Sequence, residues 1–217
     1  VRPIAGEFAA DYGPVAHLYD KLEWCLLGTL ESTRNALLDQ LPHSPHNPIV
    51  LACGTGRFPA AFIRAVNPAR LTINDIAPEM IAIARRCIAA LPWPGELTVL
   101  PGEITSLHLP PVYDFVAAQF LLDCFPQRSR VPLLLEIRKL MAPGAALLIS
   151  GYARPRSPWL LPLFYLNYAA ALLGFRILAA QRMHAPGDIE RAITAAGFRI
   201  VAKRTRFFGL FASWLTI

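Results

Sequence analysis

Residues 48–58, PIVLACGTGRF, join an apolar run to a turn of small residues and then to a stretch that can begin a helix. Ala52, Cys53, Gly54, Thr55 and Gly56 put little side-chain bulk into that turn, so its backbone N–H groups can approach a ligand closely. A helix starting near Arg57 would aim its positive end at the same point. Nineteen residues after Gly56, a second short apolar run ends on Asp75. A carboxylate there can accept hydrogen bonds from the two hydroxyls of a ribose, which makes the pair a candidate nucleoside site at the strand ends of an open α/β sheet. An ordinary tight turn, followed by an Asp that caps a helix at Pro78, would use the same residues, and both roles can coexist.

The spacing of the turn is A-x-G-x-G. Pro59 occupies the place of the third glycine of a dinucleotide loop, and no G-x-x-x-x-G-K-[ST] run is present. Dinucleotide and nucleoside triphosphate binding are both disfavoured.

The elements that must position these residues follow from periodicity and breakers. Apolar residues recur at helical spacing over 1–41, in two pieces, and the Pro-rich run 42–48 ends them. Strands are then expected at 49–52, 71–74, 97–100, 113–119 and 145–150, and helices at 57–66, 78–91, 130–140 and 188–196. Residues 198–206 and 211–217 read as a closing hairpin with its turn near Phe208-Gly209-Leu210. Alternating buried strands and helices predict a mostly parallel sheet covered on both faces, with an antiparallel end.

The chain of 217 residues is 54% hydrophobic and 17% charged, which excludes disorder and suits one large domain. A net charge of +6 is spread thinly, and no long basic run points to nucleic acid. The four cysteines form no CxxC pair and no His/Cys cluster has metal-ligand spacing, so reduced thiols, a cytoplasmic location and no metal are expected. The first residues lack the charged start and apolar core of a signal peptide. Residues 157–175 carry no charge, yet Pro158, Pro162 and Asn167 interrupt them between two strands of one domain. A helix that lines an apolar pocket or rests on a membrane surface fits better than a membrane span.

Several segments in order resemble the motifs of class I S-adenosylmethionine (SAM)-dependent methyltransferases. LACGTGRF and NDIAPEMIAIAR resemble the first two motifs. PGEITSL resembles the segment over the adenine, YDFVAAQFLLDCF the fourth-strand motif, and LLLEIRKLMAPGAALLIS the helix and strand that follow. YDKLEW resembles the lid start of the ubiquinone/menaquinone and phospholipid methyltransferase groups. The resemblance implies a doubly wound, Rossmann-like α/β fold of seven strands, the last antiparallel. It also implies a helical lid at 1–45 and a SAM-binding domain at 46–217, with a substrate cover at about 152–185.

For the cofactor, the resemblance implies that Ala52, Cys53, Gly54 and Gly56 flank the methionine part and that Asp75 holds the ribose. Ile76 and Met80 would lie against sugar and adenine, Glu103 and Ile104 on the adenine edge and face, and Gln119 and Phe120 beside the sulfonium, with Tyr19 closing from the lid. His17, Tyr19 and Asp123 are the candidate bases, should the nucleophile need to lose a proton. S-adenosylhomocysteine would be the product. Departures stand at Val50, where the family has an acid, at Ala52 for a glycine, at Glu103 for Asp, and at Ala145 for a second glycine. They motivate an alternative reading, a catalytically degenerate binding or scaffold protein on the same fold.

Aromatic residues in the two covering segments (Phe8, Tyr12, Tyr19, Trp24; Tyr152, Trp159, Phe164, Tyr165, Tyr168) favour a small apolar or aromatic acceptor, lipid-like or quinone-like among the options.

Overall fold

The computed structural model describes residues 29–41, 44–107, 109–179 and 183–217. The apolar runs form strands β1 (Pro48–Leu51), β2 (Arg70–Asp75), β3 (Glu96–Pro101), β4 (Tyr113–Gln119), β5 (Met141–Tyr152), β6 (Ile200–Arg206) and β7 (Phe211–Thr216). The helices are α1 (Thr29–Arg34), α2 (Arg57–Val66), α3 (Pro78–Ala89), α4 (Gln127–Leu140), α5 (Leu161–Ala179) and α6 (Ile189–Ala195). All seven strands join one sheet in the order β3-β2-β1-β4-β5-β7-β6.

β1, the central strand, pairs in parallel with β2 and β4, and every residue of it is buried. Successive side chains of a strand point to opposite faces. Ile49 and Leu51 therefore join Val116, Leu147 and Ile149 under α4 and α6, while Val50 joins Ile73, Phe115 and Leu148 under α2 and α3. Phe62 of α2 stacks on Phe115 of β4 with ring centroids 5.1 Å apart, which fixes that helix on the sheet.

β7 runs antiparallel to both neighbours, so the hairpin read from the sequence is present. The antiparallel strand lies one place in from the edge, however, because β7 inserts between β5 and β6. β6 forms the edge, and it carries Lys203, Arg204 and Arg206, charges that discourage strand addition. Residues 29–41 lie over this end of the sheet: Arg204 pairs with Asp39 at 2.8 Å and donates to Ala36 O, and Ser213 Oγ donates to Thr33 O.

Two bounds differ from expectation by three residues or more. β5 begins at Met141 rather than 145, since Met141 pairs with Tyr113 ahead of a register shift. α4 begins at Gln127 rather than 130, directly after Pro126, and runs through Pro132.

Candidate functional site

β1 ends at Leu51 because Ala52 turns into the left-handed region, at φ 49°. Cys53 N–H donates to Asn74 O at 2.9 Å, which ties the turn to β2. Gly54 then takes φ 55° and donates its N–H to Asp75 Oδ2 at 2.8 Å. The other carboxylate oxygen, Oδ1, accepts from Ala77 N–H at 3.0 Å. Asp75 thus holds both the turn before α2 and the entry to α3, whose own N-cap, Ala77, has no side chain to offer. Burial raises the Asp75 carboxyl above its ordinary value, against the pull of the backbone N–H bonds it accepts.

Asn74 fixes the third wall. Its Nδ2 donates to Leu100 O at 2.8 Å and to Gly102 O at 2.9 Å, so the segment after β3 is held against the end of β2. The fourth wall is the end of β4. There Phe120 sits at φ 57° with its N–H on Ser150 O, and Gln119 Nε2 reaches Leu148 O at 3.4 Å.

Between these walls lies a cleft with about 770 Å³ of atom-free space, solvent mouth included. Ala52, Gly54, Asp75, Ile76, Met80, Glu103, Ile104, Gln119 and Phe120 all line it. Leu121, Phe125 and Leu133 close its apolar end. Three buried oxygens of residues in the wall, Glu103 Oε1, Thr105 Oγ1 and Gln119 Oε1, have no hydrogen-bond partner among the described residues. Such atoms are rare in folded proteins, and together they mark a site built for a polar ligand.

A smaller recess adjoins the cleft at Ala52, Gly54 and Gln119 and is lined further by Arg34, Val50, Cys53, Thr55, Arg57 and Phe58. Arg34 is buried, with its guanidinium 5.3 Å above the Phe120 ring.

Residues 49–144 match the family model of a methyltransferase domain. By sequence, no curated protein matches the chain. Among solved structures, the mitomycin 7-O-methyltransferase is 16% identical with a TM-score of 0.68, over 95% of this chain and 60% of that one. An O-methyltransferase family 2 protein from Planctomyces limnophilus, solved with apigenin, is 18% identical with a TM-score of 0.67, over 91% and 60%. Human N-acetylserotonin methyltransferase, solved with SAM, is 19% identical with a TM-score of 0.67, over 99% and 59%. The chain spans about 60% of the length of each. Residues 49–144 therefore carry the pattern of a methyltransferase domain, and the chain shares the fold of these methyltransferases.

Human N-acetylserotonin methyltransferase was solved with SAM, and the cleft of this chain fits the chemistry of that molecule. SAM brings an adenine amino group, two ribose hydroxyls and an ammonium as donors. The wall offers Asp75 and the three unpartnered oxygens as acceptors, spaced along an otherwise apolar surface.

Several expected residues lie outside the lining of the cleft. Gly56 does not line the cleft. At φ 86° it packs on α3, where an added Cβ would come within 2.7 Å of the Ala84 Cα. Cys53 lines the adjoining recess instead, with its thiol pushed well up by burial and then by the nearby Asp75 charge. Asp123 does not line the cleft either. Its Oδ2 accepts from Tyr152 N–H at 3.0 Å, and Oδ1 lies 3.7 Å from Nη2 of the wholly buried Arg130. That geometry ties Asp123 to the backbone of β5 and sets it beside Arg130, away from the lining of the cleft. Tyr152, Phe164 and Tyr168, expected in an acceptor pocket, pack with Phe211 as a core cluster, and Tyr152 and Phe164 also line a second pocket with Tyr165. His17 and Tyr19, with Phe8, Tyr12 and Trp24, lie outside the described residues.

Three site residues were not anticipated. Asn74 had a signal, a lone amide inside an apolar strand, and Thr105 had a weaker one, two places after Glu103. Arg34 had none, because only the packing of α1 on β5 and β7 brings it to the recess.

Proposed function

We propose that this protein is a SAM-dependent methyltransferase acting on a small apolar or aromatic acceptor. The observation that carries the reading is the set of unpartnered buried oxygens, Glu103 Oε1, Thr105 Oγ1 and Gln119 Oε1, spread along one cleft that begins at Asp75. In this reading Asp75 accepts from the ribose, Ile76 and Met80 flank sugar and adenine, and Glu103 with Ile104 and Thr105 takes the adenine. Ala52 and Gly54 border the methionine part. Arg34 in the recess faces the methionine carboxylate, and Gln119 and Phe120 stand beside the sulfonium end.

SAM, when bound, supplies an electrophilic methyl group. The chain then has to hold an acceptor in line and keep water out, and most of the rate of such a displacement can come from that alignment. Leu121, Cys124, Phe125 and Leu133 give the cleft an apolar end suited to this. The likeness to a protein solved with apigenin supports an aromatic acceptor. A base is required only where the nucleophile carries a proton, and His17 and Tyr19 are candidates read from the sequence.

Calorimetry with S-adenosylhomocysteine tests the cofactor site, and release of S-adenosylhomocysteine from SAM in the presence of phenol, catechol and quinol acceptors tests the reaction. Absence of binding at millimolar nucleoside would sink the reading. Binding without turnover on any acceptor would favour the second reading, a degenerate binding protein. The replacement of the family acid by the fully buried Val50 motivates that alternative.

A further inference from the structure

α5 is apolar on every side. Its inner face, Phe164, Tyr168 and Leu172, is buried against Tyr152, Leu210 and Phe211, and Tyr152 Oη donates to Asn167 Oδ1 at 3.1 Å. Its outer face repeats the helical spacing with Leu163, Leu166, Ala170, Leu173 and Ile177, all exposed, Leu166 and Ile177 at 70% and 72%. Trp159, just ahead of the helix, is 90% exposed. The segment Pro158–Ile177 is long and apolar enough to cross a membrane by length and composition. The helix nevertheless lies along the domain, because its inner face is part of the core cluster it shares with β5 and β7.

Charge says what the outer face meets. Residues 152–187 hold four arginines, at 154, 156, 176 and 182, and no acid. Arg154 and Arg156 are exposed ahead of the helix, and Arg176 is exposed on the flank of its last turns. The turn between β6 and β7 adds Phe208, 73% exposed at φ 56°, next to a glycine that approaches Pro155. Asp188 and Glu190 line a pocket with Arg154, Arg156, Arg191 and Lys203, and Glu190 is already paired to Lys203, so the surroundings stay cationic on balance and a second copy would set like charge against like. An apolar face half a helix wide, ringed by cations and carrying a Trp, has the composition of a helix lying in a lipid interface.

We propose that the outer face of α5, with Trp159, Phe208 and the flanking arginines, docks on an anionic phospholipid bilayer. The apolar side chains enter the acyl boundary, and the arginines meet the lipid phosphates, with their aliphatic stems along the apolar surface.

The test is co-sedimentation of the full chain with phosphatidylcholine vesicles, with and without phosphatidylglycerol, at low and high salt, with no nucleoside present. The protein should sediment with the anionic vesicles and be released by salt. The double variant Leu166→Glu/Leu173→Glu should weaken this by about tenfold or more, while retaining its circular dichroism and thermal transition. Val112→Glu, an exposed site at the opposite end of β4, should leave it unchanged. Equal sedimentation with neutral and anionic vesicles, none with either, or unchanged binding of the double variant would overturn the proposal. So would a dimer in sedimentation equilibrium that the double variant abolishes while vesicles are ignored, the sign of a second copy as occupant. Because vesicle binding is read without SAM, its failure is separable from failure of the cofactor site.

Discussion

Gly54 donates its backbone N–H to Asp75 Oδ2 at 2.8 Å, so the glycine turn and the acid that ends β2 form a single corner. Two sequence features twenty-one residues apart are one object in space. Oδ1 is also taken, by Ala77 N–H, yet each carboxylate oxygen keeps a lone pair for a ligand hydroxyl.

Asp75→Asn tests that corner. Both oxygens face backbone N–H groups, so in either orientation the amide points a donor at a donor. A lost buried bond of this kind costs roughly 1–3 kcal/mol. Affinity for S-adenosylhomocysteine should fall by about tenfold or more in calorimetry, with a lower urea midpoint. Unaltered affinity would move the nucleoside site elsewhere.

Arg34 can be separated from the rest of the site by choice of ligand. If it faces the methionine carboxylate, Arg34→Gln should weaken S-adenosylhomocysteine by about tenfold, as for loss of one charge-assisted bond. The same change should leave 5′-methylthioadenosine, which has no amino-acid part, within about twofold of the wild-type affinity. Equal losses for both nucleosides would show that Arg34 serves only to support Phe120.

The contrast between Asp75 and Arg34 shows what could be read from the chain. Local chemistry marked the turn, the acid and the strand order, since breakers and apolar runs have short-range causes. The sheet closed as expected for the same reason. Arg34, on a short helix with no motif, enters the site through long-range packing that no spacing rule encodes. Asp123 shows the same limit: an acid just beyond β4 suggested a base, while its contacts with the backbone of β5 and with a buried guanidinium from α4 arise from long-range packing. The aromatics at 152 to 168 carried an apolar signal that core packing and pocket lining share.

Ala52 and Gly56 predict opposite responses to exchange. Ala52 holds a left-handed φ of 49° that an alanine adopts at a cost of roughly 1–2 kcal/mol. Ala52→Gly relieves that strain but adds unfolded-state entropy, so stability should rise by up to about 1 kcal/mol. Gly56→Ala meets the Ala84 backbone as well as a φ of 86°, so α2 and α3 must separate. It should cost about 2 kcal/mol or more, in the range of overpacked sites. Urea titrations of both variants decide the matter, and a stabilised Gly56→Ala would contradict the close approach.

Asp123 gives the fold a dependence on pH whose sign is fixed. Burial lifts its carboxyl to about 6, partly offset by Arg130 and by the Tyr152 N–H, against roughly 3.9 in an unfolded chain. The folded state therefore binds this proton more tightly, and the stability it contributes is complete below about pH 4 and is lost as pH rises through about 6. The difference of roughly two units amounts to the order of 3 kcal/mol. Asp123→Asn lacks this titration. Its stability relative to wild type should climb between about pH 4 and 6.5 and then level off, whatever constant offset comes from leaving Arg130 without its charge partner. Denaturant melts of the two proteins at a series of pH values measure that difference. Parallel curves would mean that Asp123 keeps an ordinary pKa, and that its carboxylate is better solvated than its place between Arg130 and Tyr152 implies.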